Sequence, residues 1–511
     1  MNAKFIYLCL VFFISTTTAL GSQISWHKGP VEDALKMAKT QKKPMILYWG
    51  ASWCPPCEAL KLNVFPNPEF IEATKNFVMI YLDGDNKDAQ IWGEKFGATG
   101  YPSLIVLNEN AVELQRLNSL MSAPELAKEL LQAQQNSQNM DELLENILQE
   151  KTLDKISPQS WTRLAKYRWE NHPQWESRKE EFIAKFKLIV EKIPSHFANE
   201  KNFFDFIILR YRLATLKPGE KLDSLVLDAG LELVNKIILD KKMTLTFFED
   251  ITFGAETFPR GFFPDPSENR IELIRFIMNY RKALWELYKH KDLTLQQRGY
   301  VLAGISELSS FHHPEYPVLT SDEQKRLKDE LLQTLNKSKS SQERVVVFNI
   351  LPYIFKKLGK SDEARQLILK FQDKLGSKNL VYTQLANLDI DEGRLESALK
   401  WSEKAHATAT GAATRSQWGQ SYAQLLIEVS PKNHKQIWKV SQEIIDEGLS
   451  VKDGLSGRSA RSLNRLKKNL ISWSAKEKTP TPEKFIEIKD KKCLGETEFV
   501  RKCEEYFKGL L

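Results

Sequence analysis

Cysteine is scarce in this chain, with five residues in 511. That excludes a disulfide-dense scaffold, and a length sufficient for two to four domains with 42% hydrophobic and 10% aromatic residues has no need of one. Long apolar runs are scarce as well. The one that stands out, Phe5 to Ile14, is shorter than the roughly 20 residues that span a bilayer. No stable membrane span is therefore expected in the mature protein. Charge of one sign is also lacking: the formal net charge of +7 is mild for this length, which argues against nucleic acid as a partner. No second Cys or His pair with ligand spacing accompanies the Cys-x-x-Cys at Cys54 and Cys57, which disfavours a zinc site. No metal and no cofactor are expected.

What is present begins with an address. Lys4, the apolar run and the small residues Ser15 to Gly21 form the three-part pattern of an export signal, assigned to residues 1–21. Cleavage leaves Cys54, Cys57, Cys493 and Cys503. An even set of four in an exported chain allows two pairs. Cys493 and Cys503 read as a structural disulfide near the C-terminus, with free thiols or an internal substrate of the first pair as alternatives.

Trp53-Cys54-Pro55-Pro56-Cys57 carries the most chemistry. It follows the apolar run Pro44-Met-Ile-Leu-Tyr-Trp49, a buried strand by composition, and precedes a helix start at Glu58 to Leu62. A strand–Cys-x-x-Cys–helix junction suits thiol–disulfide exchange. Cys54 falls at the helix N-terminus, where unpaired amides and the helix dipole favour a thiolate, and the spacing lets Cys57 reach back to close a disulfide. Pro55 and Pro56 are tolerated in the first helical turn but bring neither positive charge nor an amide donor. Weak thiolate stabilisation means a reducing couple, so reduction of disulfides is favoured over their formation.

Downstream, Phe77-Val-Met-Ile-Tyr-Leu82 reads as a second strand, and Gly97-Ala-Thr-Gly-Tyr-Pro-Ser-Leu-Ile-Val-Leu107 as a turn entering a third. With these segments the chain resembles the thioredoxin superfamily over roughly residues 25–135. The opening Val31-Glu-Asp-Ala-Leu-Lys-Met-Ala-Lys to Pro44 is similar to secreted members, such as the C-terminal domain of a transmembrane disulfide reductase. The resemblance implies an α/β thioredoxin fold and thiol–disulfide oxidoreductase activity. Cys54 would be the nucleophile and Cys57 the resolving thiol. Gly100-Tyr101-Pro102-Ser103 matches the family's cis-proline step, which makes Pro102 and Tyr101 groove-lining residues for substrate, with Trp53 shielding the thiols. The partners implied are protein thiol or disulfide substrates and a membrane disulfide reductase that recharges the domain, in the periplasm. Two departures stand out. Tyr48 occupies the position where family reductases carry a buried aspartate that helps deprotonate the resolving thiol, and Ser52 replaces a frequent acidic residue. Glu58 and Asp83 are the carboxylates in sequence reach.

After about residue 135 apolar residues recur at three- and four-residue steps, as in Glu142 to Leu148 and Ile271 to Ile277, with breakers between, including Pro218-Gly219 and His312-His313-Pro314. This predicts a large all-α helical-repeat region. Gly359-x4-Ala364 recurs 34 residues later as Gly393-x4-Ala398, and Tyr382-x2-Leu385-Ala386 precedes the second copy. That pattern resembles the tetratricopeptide repeat. The expected organisation is a signal at 1–21, a thioredoxin-like domain at 22–135, a helical domain at 136–340, tetratricopeptide-like repeats at 341–450, and a helical segment at 451–511 carrying Cys493 and Cys503. Such arrays bind polypeptide partners, so the rival reading is an interaction or assembly factor with an auxiliary redox domain. Arg458, Arg461, Arg465, Lys467 and Lys468 share one helical stripe, expected to be a solvated face.

Overall fold

The computed structural model describes residues 23–136, 138–150, 155–217, 220–265, 270–311 and 319–511. The export signal and the His312-His313 segment lie outside the described residues. Among the described residues no helix is long and apolar enough to cross a membrane.

The N-terminal unit runs α1 (Val31–Gln41), β1 (Met45–Gly50), α2 (Pro55–Asn63), α3 (Pro68–Thr74), β2 (Val78–Asp83), α4 (Ala89–Lys95), β3 (Ser103–Leu107), β4 (Glu113–Leu117) and α5 (Ala123–Gln135). The sheet order is β2-β1-β3-β4, with β1 parallel to β2 and antiparallel to β3, and β3 antiparallel to β4. Side chains alternate across a strand. Ile46 and Tyr48 of β1 therefore face a core shared with α2, α3 and α5, while Met45, Leu47 and Trp49 face one shared with α1 and α4. With both faces covered, β1 is buried throughout, which explains its unbroken apolar sequence. Sequence chemistry sets the helix starts. Asn67 accepts the Glu69 and Phe70 amides ahead of Pro68, and Ser122 with Glu125 forms a capping box ahead of α5. This is the α/β thioredoxin fold that the Cys-x-x-Cys and Gly-x-Pro segments predict.

Among the described residues every regular element after α5 is a helix, as the periodicity predicts. Its cores gather around Trp161, Trp169 and Phe182, around the aromatic cluster from Phe206 to Tyr288 and on to Leu388, and around Trp438, Leu463 and Phe507. The residues of the 34-residue shift form two helix hairpins. Helices Leu351–Lys357 and Ser361–Phe371 turn at Gly359 (φ 68°), and helices Lys378–Asp391 and Leu395–Thr408 turn at Gly393 (φ 72°). Both glycines have open space around them, so it is the left-handed backbone that calls for glycine. Ala364 and Ala398, each fully buried, let the paired helices approach closely. Near the C-terminus, Cys493 and Cys503 are joined by a disulfide between helices Lys484–Lys492 and Thr497–Phe507.

The helical region folds back on the N-terminal unit at several places. Fully buried Arg163 donates to the carbonyls of Leu114 and Gln138 and lies beside Glu129. Gln297 donates to the Leu120 carbonyl at 2.8 Å. The most consequential contacts lie at the cysteine motif.

Candidate active site

Strand β1 delivers the chain through Gly50 and Ala51 to Trp53 and Cys54, and Cys54 is the N-cap of α2. Its sulfur accepts the Cys57 backbone N–H at 3.3 Å. Because Pro55 and Pro56 have no N–H, Cys57 supplies the first amide of this helix, and that amide is spent on Cys54. The motif thus does offer its leading sulfur a donor, one that the two prolines alone do not reveal. The two cysteines are disulfide-bonded with Cα atoms 5.2 Å apart. Cys54 is 3% exposed and Cys57 fully buried.

Tyr101–Pro102 is a cis peptide bond, matching the Gly-x-Pro expectation. Pro102 and Tyr101 are half-buried at the entry to β3. The Tyr101 ring packs 4.4 Å from Trp49 and edge-on to Trp53 at 6.1 Å, and its hydroxyl accepts the Gln90 side-chain amide at 2.9 Å. Trp53, Tyr101 and the cysteine pair therefore come together as one patch.

Below the pair, Tyr48 is buried and its hydroxyl has no hydrogen-bond partner. Its ring stacks on Tyr81 at 5.0 Å. Burial, then the charge of neighbouring Tyr81, Glu58 and Asp83, pushes the Tyr48 phenol far up, so it stays protonated. Glu58 is almost buried on α2 and pairs with Lys61 at 2.9 Å, while Asp83 accepts the Tyr81 hydroxyl at 3.2 Å. Glu58 and Asp83 are the carboxyl groups that flank this aromatic layer, so the group absent at Tyr48 is present beside it.

The helical region completes the patch with residues for which the sequence carries no signal. Trp53 donates its indole N–H to the Thr414 hydroxyl at 2.7 Å, and the Trp418 ring lies 5.5 Å from that of Trp53. Thr414 in turn donates its amide and hydroxyl to Asp85, just past β2, at 2.9 and 2.5 Å. Burial first, opposed by these bonds, raises the Asp85 pKa. The Arg458 guanidinium sits 4.5 Å from the Tyr101 ring centroid, a cation–π contact. Arg458 is half-buried and Arg461, itself exposed, donates to the Thr99 carbonyl at 2.9 Å, so the leading end of the basic stripe contacts the N-terminal unit where the sequence alone predicts a purely solvated face. Arg465 and Lys468 are exposed, as expected.

A thioredoxin-like domain is the class that this sheet order, cysteine pair and cis proline define. A family model described as thioredoxin-like matches residues 25–109. The thiol:disulfide interchange protein DsbD of Campylobacter jejuni strain RM1221 is 33% identical over 94 residues, which covers 18% of this chain and 16% of that protein. DsbD of Pseudomonas fluorescens strain Pf-5 is 30% identical over 90 residues, covering 17% and 15%. The chain thus spans about 16% of the length of the first of these relatives, and the similarity is confined to the thioredoxin-like part.

Proposed function

We propose that this protein is an exported thiol–disulfide oxidoreductase that reduces protein disulfides. The observation that carries the proposal is the Cys54 sulfur at the N-terminus of α2, within hydrogen-bond reach of the Cys57 amide and in disulfide-bonding distance of the Cys57 sulfur. In the reduced protein that amide and the helix dipole favour the Cys54 thiolate. Cys54 attacks a substrate disulfide, forming a mixed disulfide and releasing one substrate thiolate. Cys57, deprotonated, then attacks the Cys54 sulfur, closes the Cys54–Cys57 disulfide and releases the second thiolate. Two electrons pass from the dithiol to the substrate, and an external dithiol must restore the pair. A periplasmic membrane disulfide reductase is a chemically suitable donor. Tyr101 and Pro102 line the substrate groove in this reading, with Trp53 over the thiols.

The reductive direction rests on the motif's limited means of stabilising a thiolate. Its leading sulfur has one amide donor and no imidazole within the motif. The helical region is proposed to bind a polypeptide partner.

The test uses the full-length reduced protein with a chromogenic small disulfide, 5,5′-dithiobis(2-nitrobenzoate), and its cysteine variants in the native host. Cys54→Ser is expected to abolish exchange. Cys57→Ser is expected to stall after the first attack and accumulate mixed disulfides on Cys54 that identify the substrates. Equal trapping by both variants contradicts the assigned roles. Trapping of nothing by a folded Cys57→Ser variant favours an assembly role for the helical region.

A further inference from the structure

Two helices of the helical region begin against the thioredoxin-like domain, and neither is capped by its own N-cap side chain. Helix Ala412–Val429 starts after Gly411, and helix Gly457–Glu477 after Ser456. The free amides of a helix's first turn require acceptors. Here the other domain supplies them. Asp85 accepts the Thr414 amide, Glu94 accepts the Gly457 amide at 3.1 Å, and Gln90 accepts the Arg458 amide at 2.8 Å. In return, Asp453 accepts the Gln90 amide at 3.1 Å. The glycines are fitted to this approach. A Cβ on Gly411 would stand 2.2 Å from the Asp85 carboxyl carbon, and one on Gly457 would stand 2.7 Å from the Gln90 side-chain oxygen. Each of these acceptors stands in for an N-cap side chain, and the carboxylates add a favourable dipole interaction. The docked arrangement is therefore written into side chains on both partners.

What those two helices carry to the interface is the wall of the cysteine site: Thr414 and Trp418 against Trp53 from one, Arg458 over Tyr101 from the other. The reacting residue, Cys54, is left 3% exposed. A folded protein surface needs a broad, open approach to such a sulfur, whereas an extended segment needs only a slot.

We infer that Thr414, Trp418 and Arg458 form a specificity-determining wall of the thiol–disulfide site, which admits disulfides in extended, unfolded polypeptide segments and rejects those on folded protein surfaces. This deepens the oxidoreductase reading and rests on it. These residues act by shape and by holding Trp53 and Tyr101, and they take no part in the electron transfer.

The experiment compares full-length wild type with Trp418→Ala and Thr414→Val, each reduced and checked for native circular dichroism. Three probes are used: 5,5′-dithiobis(2-nitrobenzoate), a disulfide-linked dimer of an unstructured peptide, and folded insulin. Wild type is expected to reduce the peptide dimer much faster than insulin. With each rate taken relative to the same variant's small-disulfide rate, opening the wall is expected to raise the insulin-to-peptide rate ratio by about tenfold, the scale on which one pocket side chain discriminates. An unchanged ratio in both folded variants overturns the inference while leaving the oxidoreductase reading intact. So does a wild type that reduces insulin as fast as the peptide. Failure of reduced wild type to exchange with the small disulfide overturns both.

Discussion

Trp53 hands its indole N–H to the hydroxyl of Thr414 across 361 residues of chain, 2.7 Å from donor to acceptor. The residue that precedes the leading cysteine is thus held by a helix from the opposite end of the protein. Asp85 accepts from the same Thr414, so one short chain of hydrogen bonds runs from the end of β2 through the helical region to the redox motif. The cysteine pair belongs to a site built by two parts of the molecule, and its properties should respond to changes in either.

Replacing Pro56 with His should move the redox couple toward the oxidising side. An imidazolium in the first turn of α2 adds a positive charge beside a sulfur whose donor is the single Cys57 amide, and a stabilised thiolate favours the dithiol. Each 1.4 kcal/mol of that stabilisation raises the potential by about 30 mV, measurable by equilibration with glutathione. An unchanged potential would remove the basis for the reductive direction.

Tyr48→Phe is expected to leave exchange kinetics at neutral pH unchanged and to leave stability unchanged or raise it by up to about 1 kcal/mol. The hydroxyl that it removes is buried without a partner, and a lone buried polar group is a cost. The ring keeps its stack on Tyr81. Urea unfolding and stopped-flow exchange check both parts. A severalfold slower resolution step would show that the phenol takes part in proton transfer.

Gly411→Ala should cost more than Gly359→Ala, although both glycines lie in the left-handed region at φ 87° and 68°. Backbone strain of about 1–2 kcal/mol applies at Gly359, and more at Gly411, whose ψ of 142° lies outside the left-handed helical well and near a region that is essentially glycine's alone. Only at Gly411 does the added carbon meet another domain, at Asp85. The part of the Gly411→Ala loss that disappears when Asp85 is also changed to Ala, read from urea unfolding, reports the docking contact. A loss that is the same in both backgrounds would mean that Asp85 yields freely.

Acid should loosen the Glu94 clamp. Burial disfavours its carboxylate, but the Gly457 amide and the Lys502 ammonium, at 3.2 Å, outweigh burial and hold the pKa below its usual value. A depressed carboxylate stabilises the fold above its unfolded pKa of about 4.3, and that contribution disappears as the pH falls through the lower folded value. Wild type should therefore exceed Glu94→Gln in stability at neutral pH, with the gap closing as the pH drops below the usual carboxylate range. A gap that is constant with pH would show that the glutamate acts by shape alone.

The double change of Cys493 and Cys503 to Ser should destabilise the C-terminal helices by up to about 3 kcal/mol, the loop-closure entropy of a cross-link with a sequence separation of 10. Exchange at Cys54 should persist at low temperature. Thermal unfolding of the two forms measures the first effect. Loss of exchange in a folded variant would implicate this pair in the electron path.

The thioredoxin-like part was legible from local pattern. The apolar run of β1, the Cys-x-x-Cys at a helix start and the Gly-x-Pro step each bring chemistry within a few residues of one another, and local sequence dictates local backbone. The helical character of the remainder was legible for the same reason, since amphipathic periodicity is a property of consecutive residues, and Gly359 and Gly393 announced their turns. The covering of the cysteine site was not. Gly411 and Gly457 carry no local signal of their own, and Arg458 reads as one member of a solvated stripe, because their roles depend on what packs against them. Contacts such as Trp53 to Thr414 or Gly457 to Glu94 join positions hundreds of residues apart, and such pairs leave no periodic trace in a single sequence. The sequence determined the redox chemistry available at Cys54 and Cys57. Only the tertiary structure decided which surfaces surround it, because that depends on how separately folded cores dock, and docking is governed by the fit of side chains that local propensity does not record.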